Sequence, residues 1–494
     1  MTARNAIRFI LNAENVVLED LQSGDTLLDF LRLRRQLKGT KEGCAEGDCG
    51  ACTVLVGRLQ DAALQYVSVN ACIRFLASLD GCHVVTVEHL SPRGGALHPV
   101  QQAIVDHHGS QCGFCTPGFV MSLYALWMET PKPTRKQVET ALQGNLCRCT
   151  GYAPIIRAAL AMHSYRDPPA DAERSEREDI LARLTAWQDH KRVEIRREQD
   201  HIILPGTTSD LAEALASYPA ATIIAGATDV GLWVTKLMRS ISPAIHISHL
   251  SELKKIIVQP DHIQIGAVVS YSKSAPVLNV EFPHLAQFWN RIAGRQVRNM
   301  GTLGGNIANG SPIGDMPPVF IALGATLTLR YKDKRRTLPL ENYFLAYGKQ
   351  DRHPGEFIET LTLPRRSPDS LNAAYKVSKR RDDDISSVCV GFHIGLDSTG
   401  KTRTARIAFG GMAGVPKRAT TAEKILIGKQ FTEDNLRAAA QTLPQDFTPL
   451  SDGRASANYR MRVAQNLFRR FYNDHIPGAK PDQRPIPILT GGGR

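Results

Sequence analysis

Between Glu42 and Cys52 the sequence reads EGCAEGDCGAC, which spaces Cys44, Cys49 and Cys52 as C-x4-C-x2-C in a loop of small residues. Cys72 adds a fourth thiol. This is the spacing of a plant-type [2Fe–2S] site. Gly43, Gly47 and Gly50 suit it, because backbone must bend tightly around a cluster and aim N–H groups at sulfur. Zinc is the competing chemistry, but zinc sites favour paired C-x2-4-C knuckles divided by a longer insert. Packed, unliganded cysteines would not explain three thiols within nine residues of a polar, glycine-rich run.

A second set of thiols follows. Gln111 to Gly118 reads QCGFCTPG, with Cys112 and Cys115 as C-x2-C, and Asn145 to Gly151 reads NLCRCTG, with Cys147 and Cys149 as C-x-C. A C-x-C pair is tight for one zinc but suits a binuclear cluster. A plant-type loop followed by QCGFCTPG and CRCTGY closely resembles the iron–sulfur part of the molybdenum hydroxylases of the xanthine dehydrogenase family. In that family the motif's glutamine, here Gln111, lies toward the pterin cofactor; its plain reading is a hydrogen-bonding loop residue.

The elements that must hold these thiols can be read from the pattern. Ile7 to Ile10 and Val16 to Leu18 form a hairpin, and Asp25-Thr26 precedes an amphipathic helix through Leu33. With the strand Thr53 to Val56, these predict the small β-grasp shape of plant ferredoxins. Helices are expected over Val100 to His108, Gly118 to Trp127, Arg135 to Leu142 and Tyr152 to Met162, opened by Pro99, Pro117 and Thr134. Each cysteine pair falls at a junction of that bundle. Cys82 reads as a packed thiol. Residues 165–200 mix Pro168-Pro169 with dense charge of both signs and a faint helical pattern at Ile180, Leu181, Leu184 and Trp187, and read as a linker.

Further on, Ala221 to Val230 reads ATIIAGATDV, a strand running through a glycine turn into a helix, which suits a phosphate. Arg298 to Asp315 reads RNMGTLGGNIANGSPIGD. No G-x-G-x-x-G is present, which disfavours a Rossmann site. Both stretches resemble the FAD-binding domain of the same hydroxylases. The resemblance implies flavin contacts at Ile223, Ile224, Ala225, Gly226, Ala227, Thr228, Asp229 and Val230, at Thr302, Leu303, Gly304, Gly305 and Asn306, and at Asp315, Ile358 and Lys376. Asp315 would suit a ribose hydrogen bond, against the plainer role of helix N-cap. Ile292 stands where some relatives have an aromatic ring. Lys379 to Ile385, KRRDDDI, is either a loop near the flavin and nucleotide path or a solvated turn.

The expected architecture is α+β and multidomain, as suits 494 residues. It comprises a β-grasp ferredoxin-like domain (1–84), a helical [2Fe–2S] domain (85–164), the linker, a non-Rossmann α+β FAD-binding domain (201–373), an α/β C-terminal flavoprotein domain (374–476) and a tail (477–494). Nine of the ten cysteines precede Thr150. Disulfides and a secretory leader are not expected, which points to the cytoplasm. The formal charge of +12 is scattered without a basic stripe, so nucleic acid is not an expected partner. Nor is a membrane.

The resemblance implies two [2Fe–2S] clusters and FAD here, no catalytic residue for substrate chemistry, and a molybdopterin cofactor on a large partner subunit in an α2β2 heterotetramer. It also implies electron transfer from hypoxanthine or xanthine, in purine catabolism, to NAD+. A corresponding subunit of an aldehyde oxidase or an acyl-CoA reductase is the alternative.

Overall fold

The computed structural model describes residues 3–61, 63–91, 95–165 and 170–476. The N-terminal sheet has the order β2-β1-β5-β3-β4, from β1 (Ile7–Leu11), β2 (Glu14–Leu18), β3 (Thr53–Gln60), β4 (Ala63–Asn70) and β5 (Cys82–Val85). β1 and β5 are parallel and the other pairs antiparallel, as in a β-grasp. α1 (Leu27–Asp29), capped by Thr26, continues as a wider turn through Arg34 and buries Leu27, Leu28, Phe30 and Leu31 on that sheet.

Four helices follow: α2 (Pro99–Asp106), α3 (Thr116–Glu129), α4 (Arg135–Ala141) and α5 (Ala153–Ala161). Both α2 and α4 open with reciprocal capping boxes, His98 with Gln101 and Thr134 with Gln137. Their apolar faces enclose one core around Val100, Phe119, Val138 and Ala158.

The span expected as a linker is built differently. It holds α6 (Ala170–Ala186), which buries Ile180 and Leu184 against Ile10, and β6 (Val193–Arg197), which pairs with β7 (Asp200–Leu204). The charge of VEIRR lies on the strand's outer positions, while Val193 and Ile195 face the core. The expected tail lies outside the described residues.

α7 (Thr208–Ser217), β8 (Thr222–Ile224), α8 (Val230–Thr235) and β9 (Ala244–His246) complete a sheet of order β6-β7-β9-β8, parallel where β7, β9 and β8 meet. A second, antiparallel sheet follows. It takes β10 (Ile256–Val258) and β11 (His262–Gly266), and, after α9 (Tyr271–Glu281), α10 (Ala286–Trp289), α11 (Arg295–Met300), α12 (Leu303–Asn309) and α13 (Met316–Ala322), β12 (Thr326–Tyr331) and β13 (Lys334–Pro339). The hairpin β14 (Phe344–Ala346) and β15 (Lys349–Gln350) precedes β16 (Phe357–Pro364), which inserts centrally to give β10-β11-β16-β12-β13. The last unit is an antiparallel meander of β17 (Ser370–Val377), β18 (Val388–Leu396), β19 (Thr402–Gly410) and β20 (Lys417–Arg418). It is covered by α14 (Thr420–Leu426), α15 (Glu433–Gln441), α16 (Leu443–Asp446) and α17 (Ala457–Asp474) around Phe392, Phe409, Phe468 and Phe471.

His246, at the end of β9, is fully buried edge-on to Phe75, and neither ring nitrogen has a partner. Burial, with His249 and Arg74 nearby, lowers its pKa to about 3. The folded value lies below the unfolded one of about 6.5, so folding favours the neutral ring. Its contribution is complete above that pH and is lost as pH falls toward 3. His246→Phe should therefore keep the packing and raise the urea midpoint at pH 4.5 relative to the parent, with little difference at pH 8. A parent-like midpoint at pH 4.5 would rule this out.

Candidate functional site

The first thiol quartet is assembled by the loop before β3 and the short turn after β4. Cys52 Sγ lies 3.3 Å from Cys72 Sγ, and Cys44 Sγ is close to both Cys49 and Cys72. The N–H groups of Glu46 and Cys49 point at Cys44 Sγ at 3.5 and 3.4 Å, and the Asn70 amide points at Cys52 Sγ at 3.9 Å. The loop turns through Gly47 and Gly50, both with positive φ, and a Cβ on Gly50 would lie 2.1 Å from the Gly144 carbonyl. Only glycine fits there.

The second quartet sits where α3 and α5 begin. Cys112 and Cys149 sulfurs are 3.6 Å apart, and Cys115 adjoins Cys147. Cys147 Sγ receives the Thr150 N–H at 3.5 Å and lies 3.2 Å from its hydroxyl. Cys112 and Cys149 are exposed beside exposed Phe114 and Gln111, whereas Cys115 and Cys147 are turned inward. Among the described residues no three His, Cys, Asp or Glu side chains are grouped as ligands of a single ion.

Proton sharing within each quartet shows what the donors need. Cys44 is held far below an ordinary thiol by its hydrogen bond from Cys49, and Cys52 is lowered by Cys72. In turn Cys49 and Cys72 are pushed far up, each by its contact with Cys44. In the second set Cys112 and Cys147 are lowered, Cys112 by the Phe114 N–H and Cys147 by Thr150 against the cost of burial. Cys149 is raised by Cys112, and burial pushes Cys115 up to about 12. Four adjacent thiolates require cationic charge among them. Both donor sets fit an iron–sulfur cluster, with N–H groups already aimed at sulfur.

The residues expected to hold flavin come together from distant parts of the chain. Gly226 abuts the end of α11 so closely that a Cβ would lie 1.9 Å from the Met300 carbonyl, which joins the 223–230 loop to the 302–306 loop. Ala227 takes a positive φ. Among the described residues, the N–H groups of Gly226, Ala227, Thr228 and Asp229 find no acceptor in the chain, although Gly226 and Ala227 are buried. Buried N–H groups call for a partner. A bent run of them suits the anionic pyrophosphate of FAD.

On the second loop Thr302 Oγ1 caps Gly305, and Gly304 packs so tightly that a Cβ would meet Ala267 at 2.6 Å. Leu303 and Gly304 donate their N–H groups to Val269 and Ala267. The Asn306 amide oxygen is buried without a partner and is free for a ligand donor.

Asp315 precedes α13 but makes no side-chain cap. Its two oxygens are taken by Lys376 Nζ at 2.6 Å and Ser386 Oγ at 2.5 Å. Cys389 Sγ lies 3.4 Å from its carbonyl. Ile358 and Lys376 are themselves buried, and Ile292 is buried near Phe288 and Trp289. The loop 380–384 is tied down at both of its inner aspartates. Asp383 accepts the Gly294 N–H at 3.0 Å and Asp382 accepts from Gln143 at 2.9 Å. Burial and neighbouring Asp48 push Asp383 up to about 7.

The three sets of residues adjoin in series. The Leu146 N–H donates to the Cys49 carbonyl at 3.0 Å, linking the two thiol quartets. Ile73, next to Cys72, lies against both Gly47 and Gly231 of α8. The Thr235 hydroxyl donates to the Ala45 carbonyl at 2.7 Å.

Four family models match the chain in order. They are a 2Fe-2S iron-sulfur cluster binding domain over residues 10–76, a [2Fe-2S] binding domain over 86–160, an FAD binding domain in molybdopterin dehydrogenase over 196–366, and a CO dehydrogenase flavoprotein C-terminal domain over 373–475. Similar proteins include a xanthine dehydrogenase of Emericella nidulans, 34% identical across 95% of this chain and 38% of the relative. A xanthine dehydrogenase/oxidase of Rattus norvegicus is 32% identical across 96% of this chain and 39% of the relative. The chain thus spans under two fifths of the length of either. Among solved structures, a carbon monoxide dehydrogenase chain from Hydrogenophaga pseudoflava matches with a TM-score of 0.52 and 28% identity, covering 56% of this chain and 96% of that one.

Proposed function

The chain is the iron–sulfur and FAD portion of a xanthine dehydrogenase-like molybdenum hydroxylase, and from that premise we propose that it is the electron-transfer subunit of a xanthine dehydrogenase. In this reading, electrons from hypoxanthine or xanthine, oxidised at a molybdopterin cofactor on a large partner subunit, leave as NADH. When bound, the clusters supply one-electron steps and the flavin collects two electrons for hydride transfer.

The chain's own residues position and tune. Cys44, Cys49, Cys52 and Cys72 would hold one cluster, and Cys112, Cys115, Cys147 and Cys149 the other. Free N–H groups from Gly226 to Asp229 would receive the pyrophosphate, and Asn306 would accept from the flavin or its ribityl chain. Asp315 would act through Lys376, since both of its oxygens are already occupied.

The observation that carries the reading is the serial contact: second quartet to first through Leu146 and Cys49, first quartet to flavin loops through Ile73 and Gly231. It supports electron flow in the order second quartet, first quartet, flavin. The exposed edge at Cys112 and Cys149 supports docking of the molybdenum-bearing subunit there, in a heterotetramer. Among the described residues no helix is long and apolar enough to cross a membrane, and we place the protein in the cytoplasm. The domain boundaries at residues 84, 373 and 476 are part of the same proposal, while residues 170–200 pack on the first domain through α6 and join the next through the β6–β7 pairing.

Stopped-flow mixing of the flavin-replete protein with NADH tests the acceptor. Bleaching of the flavin should precede bleaching of the clusters, and hypoxanthine should bleach neither until the partner subunit is present. Flavin that NADH leaves oxidised, in the chain and in the assembled complex, would defeat the dehydrogenase reading.

A further inference from the structure

α11 is six residues long, and its residues reach several separate parts of the molecule. Arg295 pairs with Glu129 of α3. Val297 lies against Gly47 of the first thiol loop. Arg298 donates to Gln143 beyond α4 at 2.9 Å, and Asn299 donates to the Ser68 carbonyl of β4 at 2.9 Å. Met300 presents its carbonyl to Gly226 of the flavin loop.

Gln296 is the most enclosed of the six, at 1% exposure. Its amide nitrogen lies 3.0 Å from Thr53 Oγ1, 3.2 Å from Ser122 Oγ and 3.0 Å from Asn145 Oδ1. These three partners are themselves buried, and they belong to β3, α3 and the turn that leads to Cys147. The hydrogen bonds close on one another. Ser122 donates to Asn145 Oδ1 at 2.7 Å, Asn145 donates to the Gly50 carbonyl at 3.1 Å, and Thr53 donates to that same carbonyl at 2.6 Å.

Gly50 stands between Cys49 and Cys52, and Asn145 stands two residues before Cys147. The junction has no slack. A Cβ on Gly118 would lie 2.1 Å from the Gly50 carbonyl, and one on Gly144 would lie 2.1 Å from Gln296 Oε1.

We propose that Gln296, a residue of the flavin-binding region, is a positioning residue for electron transfer: its amide clamps the Gly50 and Asn145 loops together and so fixes the separation of the two clusters. The inference rests on the reading of both quartets as cluster sites. The clamp rests on the amide nitrogen, since Gln296 Oε1 is buried without a partner, and that nitrogen is the shared donor of the network. Removing the shared donor leaves Thr53 Oγ1 and Asn145 Oδ1 to reorganise next to Cys52 and Cys147. The contact most exposed to that change is the hydrogen bond from Leu146 to the Cys49 carbonyl.

The test uses the complete protein carrying iron and flavin, as parent, Gln296→Ala and Thr53→Val. Iron and flavin content and melting temperature are measured first. Electron paramagnetic resonance of the reduced proteins then reports the magnetic coupling between clusters. Flash photoreduction of the flavin times the arrival of electrons at each cluster without requiring NADH. The expected result for Gln296→Ala is unchanged flavin photoreduction and iron content, weakened coupling, and a cluster-to-cluster rate lowered several-fold, because electron tunnelling falls off steeply with the distance between clusters. Thr53→Val, which keeps its shape, should move coupling and rate in the same direction by less.

Parent-like coupling and rate in an iron-replete Gln296→Ala protein would overturn the proposal. Should that variant lose its iron, parent-like behaviour of Thr53→Val would overturn it equally. A parent protein without iron would bring down the functional reading itself, whereas an iron-replete parent with indifferent variants would refute the positioning role alone.

Discussion

Cys147→Ser should yield a folded chain with about half of the parent's iron and labile sulfide, and with one cluster signal where the parent has two. The expectation follows from how Cys147 is held. Its sulfur already receives the Thr150 N–H at 3.5 Å and is turned inward among Val138, Leu142 and Ile155, so a ligand at this point is buried and oriented. A serine hydroxyl is shorter and gives up its proton far less readily than a thiol, and a cluster with three thiolates in an edge-exposed site should not persist. The surviving signal should be that of Cys44, Cys49, Cys52 and Cys72. Cys82→Ser is the control. Cys82 lies in β5, buried, with its sulfur 3.9 Å from the Ser78 and Asp80 carbonyls and, among the described residues, no hydrogen bond to a cysteine of either quartet. That variant should keep both signals and lose about 1–3 kcal/mol of stability for the buried hydroxyl. Loss of a cluster in Cys82→Ser, or two intact clusters in Cys147→Ser, would overturn the ligand assignment.

The two quartets were legible because their chemistry is local. Spacing along the chain, with glycine where φ must be positive, states most of what Cys44, Cys49 and Cys52 must do. The capped helices around Cys112 and Cys147 were legible for the same reason: Pro99, Pro117 and Thr134 act on their own next turn. What depended on distant partners was not. VEIRR at β6 reads as charged linker because a five-residue strand shows its character only once Asp200–Leu204 lies beside it. Asp315 reads as a ribose contact or a helix cap, since nothing near it announces Lys376, 61 positions away. Gln296 carries no signal at all. It is one polar residue in RQVRNM, and its three partners lie between 151 and 243 positions earlier in the chain. The convergence of two glycine-rich loops at Gly226 and Met300 is likewise tertiary, although the abundance of small residues in each stretch hinted that something must pass close to the backbone.

Lys376→Met should be the most damaging single change in the flavin-binding region, costing about 3–5 kcal/mol of folding stability and most of the bound flavin. Lys376 has 2% of its side chain exposed and Asp315 11%, with 2.6 Å between nitrogen and oxygen. Such a pair gains little over two apolar residues of similar volume, but removing one partner strands the other charge. In Lys376→Met, the Asp315 carboxylate would keep only the Ser386 hydroxyl, at the start of α13, which packs against α12 and its residues Leu303 to Asn306. Nearby Arg291 already spends its guanidinium on the Lys376 carbonyl and Ser378, so it is not free to replace the lost cation. The double variant Lys376→Met with Asp315→Leu separates the two effects. Folding stability should recover by at least about half, since no charge is stranded, while flavin content should stay low if the pair also orients the cofactor's loops. Urea midpoints and flavin released on denaturation measure the two quantities independently. A single variant with parent-like midpoint and full flavin would show that the pair neither stabilises the fold nor shapes the site, and a double variant that regains flavin along with stability would confine its role to folding.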